Sequence, residues 1–440
     1  MTAVAGRVLA LVDGEHYPPV VRDAVARAGG VVAALLVGGG EKLDGEPDYG
    51  VPLVRAGRDT AVSMVETARL HGAGRVLDLS DEPVVGEAVR LHLVAHALAA
   101  GLGYGGPGFW FEPPPREPAP VPTIEVVGTG KRVGKTAVSG HLVRMARAAG
   151  LDLVVVAMGR GGPAVPELVG AGVPLGPAEL LARARAGNHA ASDFLEDAAL
   201  TGAATVGARR CGGGPAGEPF TSNVAEALEL AVGQHPDLVV LEGSGAALPP
   251  VAADRRVLVC TAARPASELT SGLGPYRVLG ADLVVITGCL PPVSAAGAAE
   301  RTREAVRAIR PDLESIAVDL VPQPVVPVAG RRVAYFTTAP AALAARLAGE
   351  LEQAHGARVT ATVPLLSDRA ALRAALEADG VHAADTFVVE IKAAAIDVVA
   401  EAADRRGVEL VFCDNRPRSL PGEPDLDARL TAMATGVARA

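Results

Sequence analysis

Short, fully apolar runs alternate along this chain with longer stretches of helical period. The runs Asp152 to Ala157, Asp237 to Leu241, Arg256 to Cys260 and Asp282 to Ile286 are rich in Val and Leu and give way to Gly, Arg or acidic residues. Similar runs occupy Arg7 to Val12, Arg75 to Leu79, Arg332 to Thr337, Arg358 to Val363, Thr386 to Glu390 and Glu409 to Cys413. Continuous apolar character marks strands buried on both faces, as in a parallel sheet. Between the runs lie helical patterns at Pro18 to Ala28, Thr60 to Leu70, Val84 to Ala100, Pro177 to Ala186, Asn223 to Val232, Ala341 to Ala354, Arg369 to Ala378 and Ala393 to Arg405. This order predicts an α/β protein with a doubly wound, mostly parallel sheet, whose ligands sit just after the strands.

At 440 residues the chain exceeds one ordinary core, so about two or three domains are expected. Pro113, Pro114, Pro115, Pro118, Pro120 and Pro122 read as a stiff linker. An N-terminal Rossmann-like domain (1–112), a linker (113–122), a core (123–330) and a C-terminal α/β domain (331–440) follow. The net charge of −9 argues against a nucleic-acid surface, which needs clustered Lys and Arg. Cys211, Cys260, Cys289 and Cys413 are far apart with no C-x-x-C pair, which suits reduced thiols in the cytoplasm. Arg7, Asp13 and Glu15 would interrupt a secretory signal. The uncharged run Leu91 to Phe111 is long enough to span a bilayer, but two histidines, five glycines and Pro107 argue against it. His92 and His96 stand one helical turn apart without an intervening acid of the H-E-x-x-H kind, so core packing is expected rather than a metal.

Candidate chemistry begins after the run Thr123 to Val127. The stretch Gly128-Thr129-Gly130-Lys131-Arg132-Val133-Gly134-Lys135-Thr136 enters a helix expected to run through Ala149. Glycines at such a turn let backbone N–H groups converge on phosphate oxygens. Lys135 then reaches the β/γ bridge of a nucleotide such as ATP, and Thr136 offers its hydroxyl to Mg²⁺. The leading glycine is Gly128, one place earlier than the strict spacing, and the loop resembles that of dethiobiotin synthetase and its relatives. ParA-type partition ATPases carry a second lysine five residues before the P-loop lysine, where this chain has Gly130 and Lys131 comes one place late.

Three further strand ends carry candidate residues. Met158-Gly159-Arg160-Gly161-Gly162-Pro163 is a second glycine-rich turn, with Arg160 able to grip a phosphate. Gly207-Ala208-Arg209-Arg210-Cys211-Gly212-Gly213-Gly214 reads as a loop coupling two arginines to bare backbone amides. Glu242-Gly243-Ser244-Gly245 puts a carboxylate at the tip of a central strand, where a Mg²⁺ ligand is wanted. In the first domain, Asp13-Gly14-Glu15-His16 suits either proton transfer or a helix start. Only four lysines occur, Lys42, Lys131, Lys135 and Lys392. Two lie in the phosphate loop, and Lys392 is the one left to explain.

Taken together, these segments, with Gly274-Pro275-Tyr276-Arg277 and Glu390-Ile391-Lys392-Ala393-Ala394-Ala395, resemble the cyclic 2,3-diphosphoglycerate synthetases nearly end to end. The resemblance implies an enzyme, homodimeric in the manner of its family, that uses ATP and Mg²⁺ to close 2,3-diphosphoglycerate into a cyclic phosphoanhydride, releasing ADP and phosphate. It assigns Lys135, Lys131, Arg160 and Glu242 to catalysis, the loop from Gly128 to Thr136 to ATP, and Thr136 and Glu242 to the metal. Arg132, Arg160, Gly161, Gly162, Arg209, Arg210, Ser244, His16 and Lys392 fall to the substrate. Another dethiobiotin synthetase-like ligase acting on an anionic small molecule, and a ParA-like ATPase switch, are the competing readings.

Overall fold

A computed structural model describes residues 6–439, which fall into two compact units. The first comprises the described residues up to Pro115 with Ala266–Gly280 and Ala305–Asp312; the second comprises Arg116–Pro265, Ala281–Glu304 and Leu313 onward. The core expected over 123–330 thus lends two short segments to the first unit.

The first unit holds a six-stranded sheet made of β1 (Val8–Val12), β2 (Val31–Leu36), β3 (Leu53–Arg55), β4 (Arg75–Asp78), β5 (Gly103–Gly106) and β6 (Phe109–Phe111). The order is β3-β2-β1-β4-β5-β6, parallel except for the last pair, which is the Rossmann arrangement. Helices α1 (Pro18–Ala28), α2 (Thr60–Leu70) and α3 (Glu87–Ala99) connect these strands. The order reverses between β1 and β4, and there the buried Asp13 stitches two loops together. Its carboxylate accepts the amides of Glu15 and Asp81 at 2.9 and 2.6 Å and the His16 Nδ1 proton at 2.8 Å. His92 and His96 pack ring to ring in α3, 4.5 Å apart, and burial followed by the neighbouring ring pushes His96 down to about 4. Among the described residues no helix is long and apolar enough to cross a membrane, and the run from Leu91 divides into a helix end and two short strands.

The second unit is built on one large sheet. Its strands are β8 (Thr123–Gly128), β9 (Leu153–Gly159), β10 (Glu167–Val169), β11 (Ala204–Cys211), β12 (Thr221–Ser222), β13 (Leu238–Glu242), β15 (Arg255–Thr261), β16 (Leu283–Thr287), β17 (Ser315–Pro324), β18 (Arg332–Phe336), β19 (Arg358–Val363), β20 (Thr386–Val389) and β21 (Glu409–Ser419), while β7 (Glu117–Pro118) and β14 (Val251–Ala252) pair separately. The order β10-β11-β9-β13-β8-β15-β16-β17-β21-β20-β18-β19 is parallel within each half except at the antiparallel β10–β11 edge, and the halves meet at the antiparallel β17–β21 ladder. Prolines 322 and 324 hide β17 from a propensity reading; the strand nonetheless pairs with β21 from Val318 through Pro324.

Helices α4 (Lys135–Ala148), α5 (Pro177–Arg185) and α6 (Asp193–Thr201) follow β8 and β10 in the chain. Phe194 and Leu195 of α6 share a core with Phe336, Phe387 and Ile391, so packing brings the C-terminal strands against the P-loop half. β8 is buried throughout, as its continuous apolar run requires. The segment 207–214, expected as a loop, is strand as far as Cys211, because β11 pairs with β9 through Arg209.

The turn after β9 lies hard against β11. A Cβ on Gly162 would stand 2.0 Å from the Ala208 carbonyl oxygen, so only glycine fits. Gly162→Ala should therefore destabilise the protein by about 1–3 kcal/mol, the usual cost of forcing atoms into a packed site. Urea unfolding measures this, and an unchanged midpoint would contradict the close approach.

Candidate active site

The P-loop joins β8 to α4, and its backbone is shaped for a tight approach. Gly134 is left-handed at φ +87, where a Cβ would also meet Leu320 and Thr287 at 3.0 Å. β13 pairs directly with β8, placing Glu242 beside Val126 at the mouth of the loop. Lys135 donates to Glu242 Oε1, and Thr136 Oγ1 donates to the same oxygen at 2.8 Å. All three residues come from strand ends or the first helical turn, so their geometry is set by regular structure.

Burial would push the Glu242 carboxyl up, but the Lys135 charge and hydrogen bonds from Asp197, Lys135 and Thr136 outweigh it and hold the group below the usual range. Asp197 goes the other way: burial, then the Glu242 charge, raise it well above an ordinary aspartate. The two shifts run in opposite senses, favouring a proton on Asp197 over one on Glu242. Glu242 Oε2 and Asp197 Oδ2 are both buried without another protein donor.

Asp197 belongs to a group that sequence reasoning missed. Asp193, Glu196 and Asp197 stand at i, i+3 and i+4 on α6, which puts them on one helix face. That face turns inward, and Glu196 and Asp197 are buried. The legible signal was the spacing itself, but an acidic helix face ordinarily faces water. Burial raises Asp193, and it pushes Glu196 up to about 8 despite the Lys392 charge. Lys392 lies 3.5 Å from Glu196, and a small recess beside them is lined by Thr136, Asp197, Arg144 and Asn415.

A cluster of opposite sign surrounds Gly245. A Cβ on this glycine would stand 3.3 Å from Arg160 Nη2 and 3.8 Å from both Arg210 Nη2 and Lys131 Cγ. Arg210 is buried, donating to the Ser244 carbonyl at 2.7 Å and to Ser244 Oγ at 3.3 Å. Burial and then the charge of the neighbouring Arg160 guanidinium lower its pKa. Arg264 reaches the same loop, donating to the Lys131 carbonyl at 3.1 Å. Arg160 and Lys131 are exposed and Arg210 is buried, and the three cationic side chains converge at Gly245.

Three family models match the chain: the N-terminal domain of cyclic 2,3-diphosphoglycerate synthetase over residues 7–112, its P-loop domain over 123–318, and its C-terminal domain over 324–416. The chain belongs to the cyclic 2,3-diphosphoglycerate synthetase family. Relatives bearing that name include a protein of Rubrobacter xylanophilus, 46% identical over 98% of both chains. Others come from Methanothermus fervidus, 38% identical over 93% of each chain, and Thermococcus gammatolerans, 40% identical over 94% of each. Among solved structures, LpxK from Aquifex aeolicus in complex with ATP aligns over 73% of this chain and 90% of its own, with 10% identity and a TM-score of 0.41, too loose a likeness to carry an argument.

Within this synthetase-family chain, the expected residues divide three ways. Lys131, Lys135, Thr136, Arg160, Arg210, Glu242 and Ser244 come together around the P-loop, with Lys392 beside Glu196. Arg209 does not join Arg210, because adjacent residues of a strand face opposite sides; it is exposed while Arg210 is buried. Arg132 is exposed at φ +60. Gly161 approaches the His189 ring, and Gly162 packs on β11. His16 belongs to the first unit, where it braces Asp13.

The raised Glu196 carboxyl has a thermodynamic consequence. Its unfolded counterpart ionises near 4.5 while the folded group keeps its proton to about 8, so the folded state binds more protons across that window. Stability from this group is therefore unaffected below the lower value and falls as pH rises towards the upper one. Glu196→Gln should flatten the decline between those limits. Thermal unfolding across the range tests this, and an equal decline in the variant would contradict it.

Proposed function

We propose that this chain is an ATP-dependent cyclo-ligase that closes 2,3-diphosphoglycerate into its cyclic phosphoanhydride. The observation that carries this reading is the juxtaposition of a P-loop, with its Lys135, Thr136 and Glu242, and a separate cluster of Arg160, Arg210 and Lys131 around Gly245. A nucleotide alone would need only the first. The second suits a small, multiply phosphorylated substrate, and the family relatives carry the corresponding name.

In the reaction proposed, an oxygen of one substrate phosphate attacks the γ-phosphorus of ATP, forming a new P–O bond as the bond to ADP breaks. The second substrate phosphate then attacks the activated phosphorus. A P–O–P bridge forms within the molecule, and the transferred group leaves as inorganic phosphate with the electron pair of the broken bond. No oxidant or added proton source is required. The obstacle is electrostatic, since two unit charges about 4 Å apart repel by about 4 kcal/mol at an effective dielectric near 20. Lys131, Arg160 and Arg210 offset that repulsion and align the phosphates, while Lys135 stabilises charge on the transferred group.

Mg²⁺ fits the same place. Among the described residues no cluster of three or more His, Cys, Asp or Glu side chains is arranged to hold an ion, so its shell would consist chiefly of phosphate oxygens and water. The Thr136 hydroxyl and the otherwise donorless Oε2 of Glu242 are the protein oxygens that would hold it. When bound, the ion would neutralise charge on the β- and γ-phosphates. Dethiobiotin synthetase-like chemistry, phosphorylation followed by ring closure, is the nearest general analogy. We place the enzyme in the cytoplasm as a homodimer, on its reduced cysteines and its family. The comparisons lend nothing to a ParA-like switch or to another ligase.

Purified protein should release ADP only when 2,3-diphosphoglycerate is present, with a cyclic product visible by phosphorus NMR. Lys135→Ala should lower turnover at least about a hundredfold, as loss of a transition-state charge contact does. Substrate-independent ATP hydrolysis would replace the ligase reading with a switch.

A further inference from the structure

Beside the P-loop, the most heavily hydrogen-bonded carboxylate is Glu390, at the end of β20. It is buried, and its Oε1 accepts from Thr337 Oγ1 at 2.7 Å, Asn415 Nδ2 at 3.1 Å and the Tyr335 hydroxyl at 3.4 Å. Its Oε2 accepts from the Thr338 amide at 3.1 Å and the Thr338 hydroxyl at 3.0 Å. These donors come from the end of β18 with the two residues after it and from β21, the two strands flanking β20, so the carboxylate is clamped from both sides. Burying a carboxylate is costly, and donors on this scale are what make it tolerable.

What the clamp holds is the turn that carries Lys392. The Lys392 amide donates to the Glu390 carbonyl at 2.8 Å, and the next residue, Ala393, sits at φ +50. A left-handed alanine persists only where its surroundings impose it, and such strain gathers at functional sites. The turn leads into a π-helical segment, Ala395–Ala400, another irregularity found at such sites. It directs the Lys392 side chain away from its own strand and into the recess lined by Thr136 and Asp197, where the charges of Lys135 and Lys392 both act on Asp193. Its contact there is a loose one with the Glu196 carboxyl at 3.5 Å. The surrounding carboxyl groups, Glu196 first and then Glu390 and Asp193, outweigh burial and raise its pKa, so the group stays cationic.

We propose that Glu390 is a positioning residue: its clamped carboxylate and the left-handed turn at Ala393 form a rigid mount that aims the Lys392 ammonium at a phosphoryl oxygen of the species bound at the P-loop. Lys392 is then a second lysine of the site, delivered by the C-terminal strands, and its loose hold on Glu196 is what an incoming phosphoryl oxygen replaces. A mount made of strand ends gives the positional precision that charge stabilisation requires. This inference rests on the ligase reading above.

Full-length Glu390→Gln, Lys392→Met and the double variant test it, with kcat and KM for ATP and for the bisphosphate, nucleotide affinity by a fluorescent ATP analogue, and thermal stability. Lys392→Met should lower kcat by about tenfold or more with nucleotide affinity within about twofold of the parent, and Lys392→Arg should recover part of the loss. Glu390→Gln should lower kcat in the parent but have no further effect beside Lys392→Met, since a mount without its lysine has nothing to aim. An equal loss in both backgrounds would make Glu390 merely structural and overturn the inference. Should Glu390→Gln fail to fold, Ala393→Gly loosens the same mount without disturbing the carboxylate, and the same dependence on Lys392 is required. Bisphosphate-dependent turnover that survives Lys392→Met would sink the mount alone; turnover independent of the bisphosphate would sink the ligase reading first.

Discussion

The buried pairing of Lys135 with Glu242 is the constraint on which the rest of the site depends. An ammonium taken out of water needs a carboxylate in contact, and removing one partner of such a pair costs about 3–5 kcal/mol because the other is left uncompensated. The fold meets that need with neighbouring parallel strands. β8 delivers the lysine through its loop, β13 delivers the glutamate at its tip, and their register fixes the separation. Thr136 then shares the same carboxylate oxygen, so cation, hydroxyl and acid form one preorganised group.

Around that pair the acids gather on one side and the arginines on the other. The acids of α6 and Lys392 lie towards Thr136, whereas Arg160, Arg210 and Lys131 gather at Gly245. The segregation follows from topology. β9 and β11 are neighbours, so the turn after one and the end of the other bring two arginines together, and β13 presents Ser244 to receive one of them. α6 returns across the P-loop helix with its acids inward, and the C-terminal strands share its apolar face. A chain with an overall negative charge thereby concentrates positive charge at one small place.

How much of this was legible depended on how local each feature is. The strand, glycine turn and Lys135-Thr136 pair lie within one stretch of sequence, and Glu242 is marked by its place at the end of an apolar run; both groups could be read directly. Arg209 and Arg210 looked equivalent because the glycines around them suggested a loop, and only the pairing of β11 with β9 showed that alternation separates them. The acids of α6 left only their spacing to read, because a helix carrying Asp193, Glu196 and Asp197 ordinarily turns that face to solvent. Lys392 stood out by the rarity of lysine, yet the reason for its position lies in residues more than fifty places upstream, at Thr337 and Thr338. The joining of two half-sheets through β17 and β21 was likewise a long-range event, concealed by prolines within the strand.

The central claim is that nucleotide and polyanion are held by different cations. Calorimetric titration of Arg160→Met with 2,3-diphosphoglycerate and, separately, with an ATP analogue tests this most directly. The account predicts bisphosphate affinity reduced by about tenfold or more, the scale of a lost charge-assisted contact, with nucleotide affinity essentially unchanged. Equal weakening of both ligands, or of neither, would contradict it.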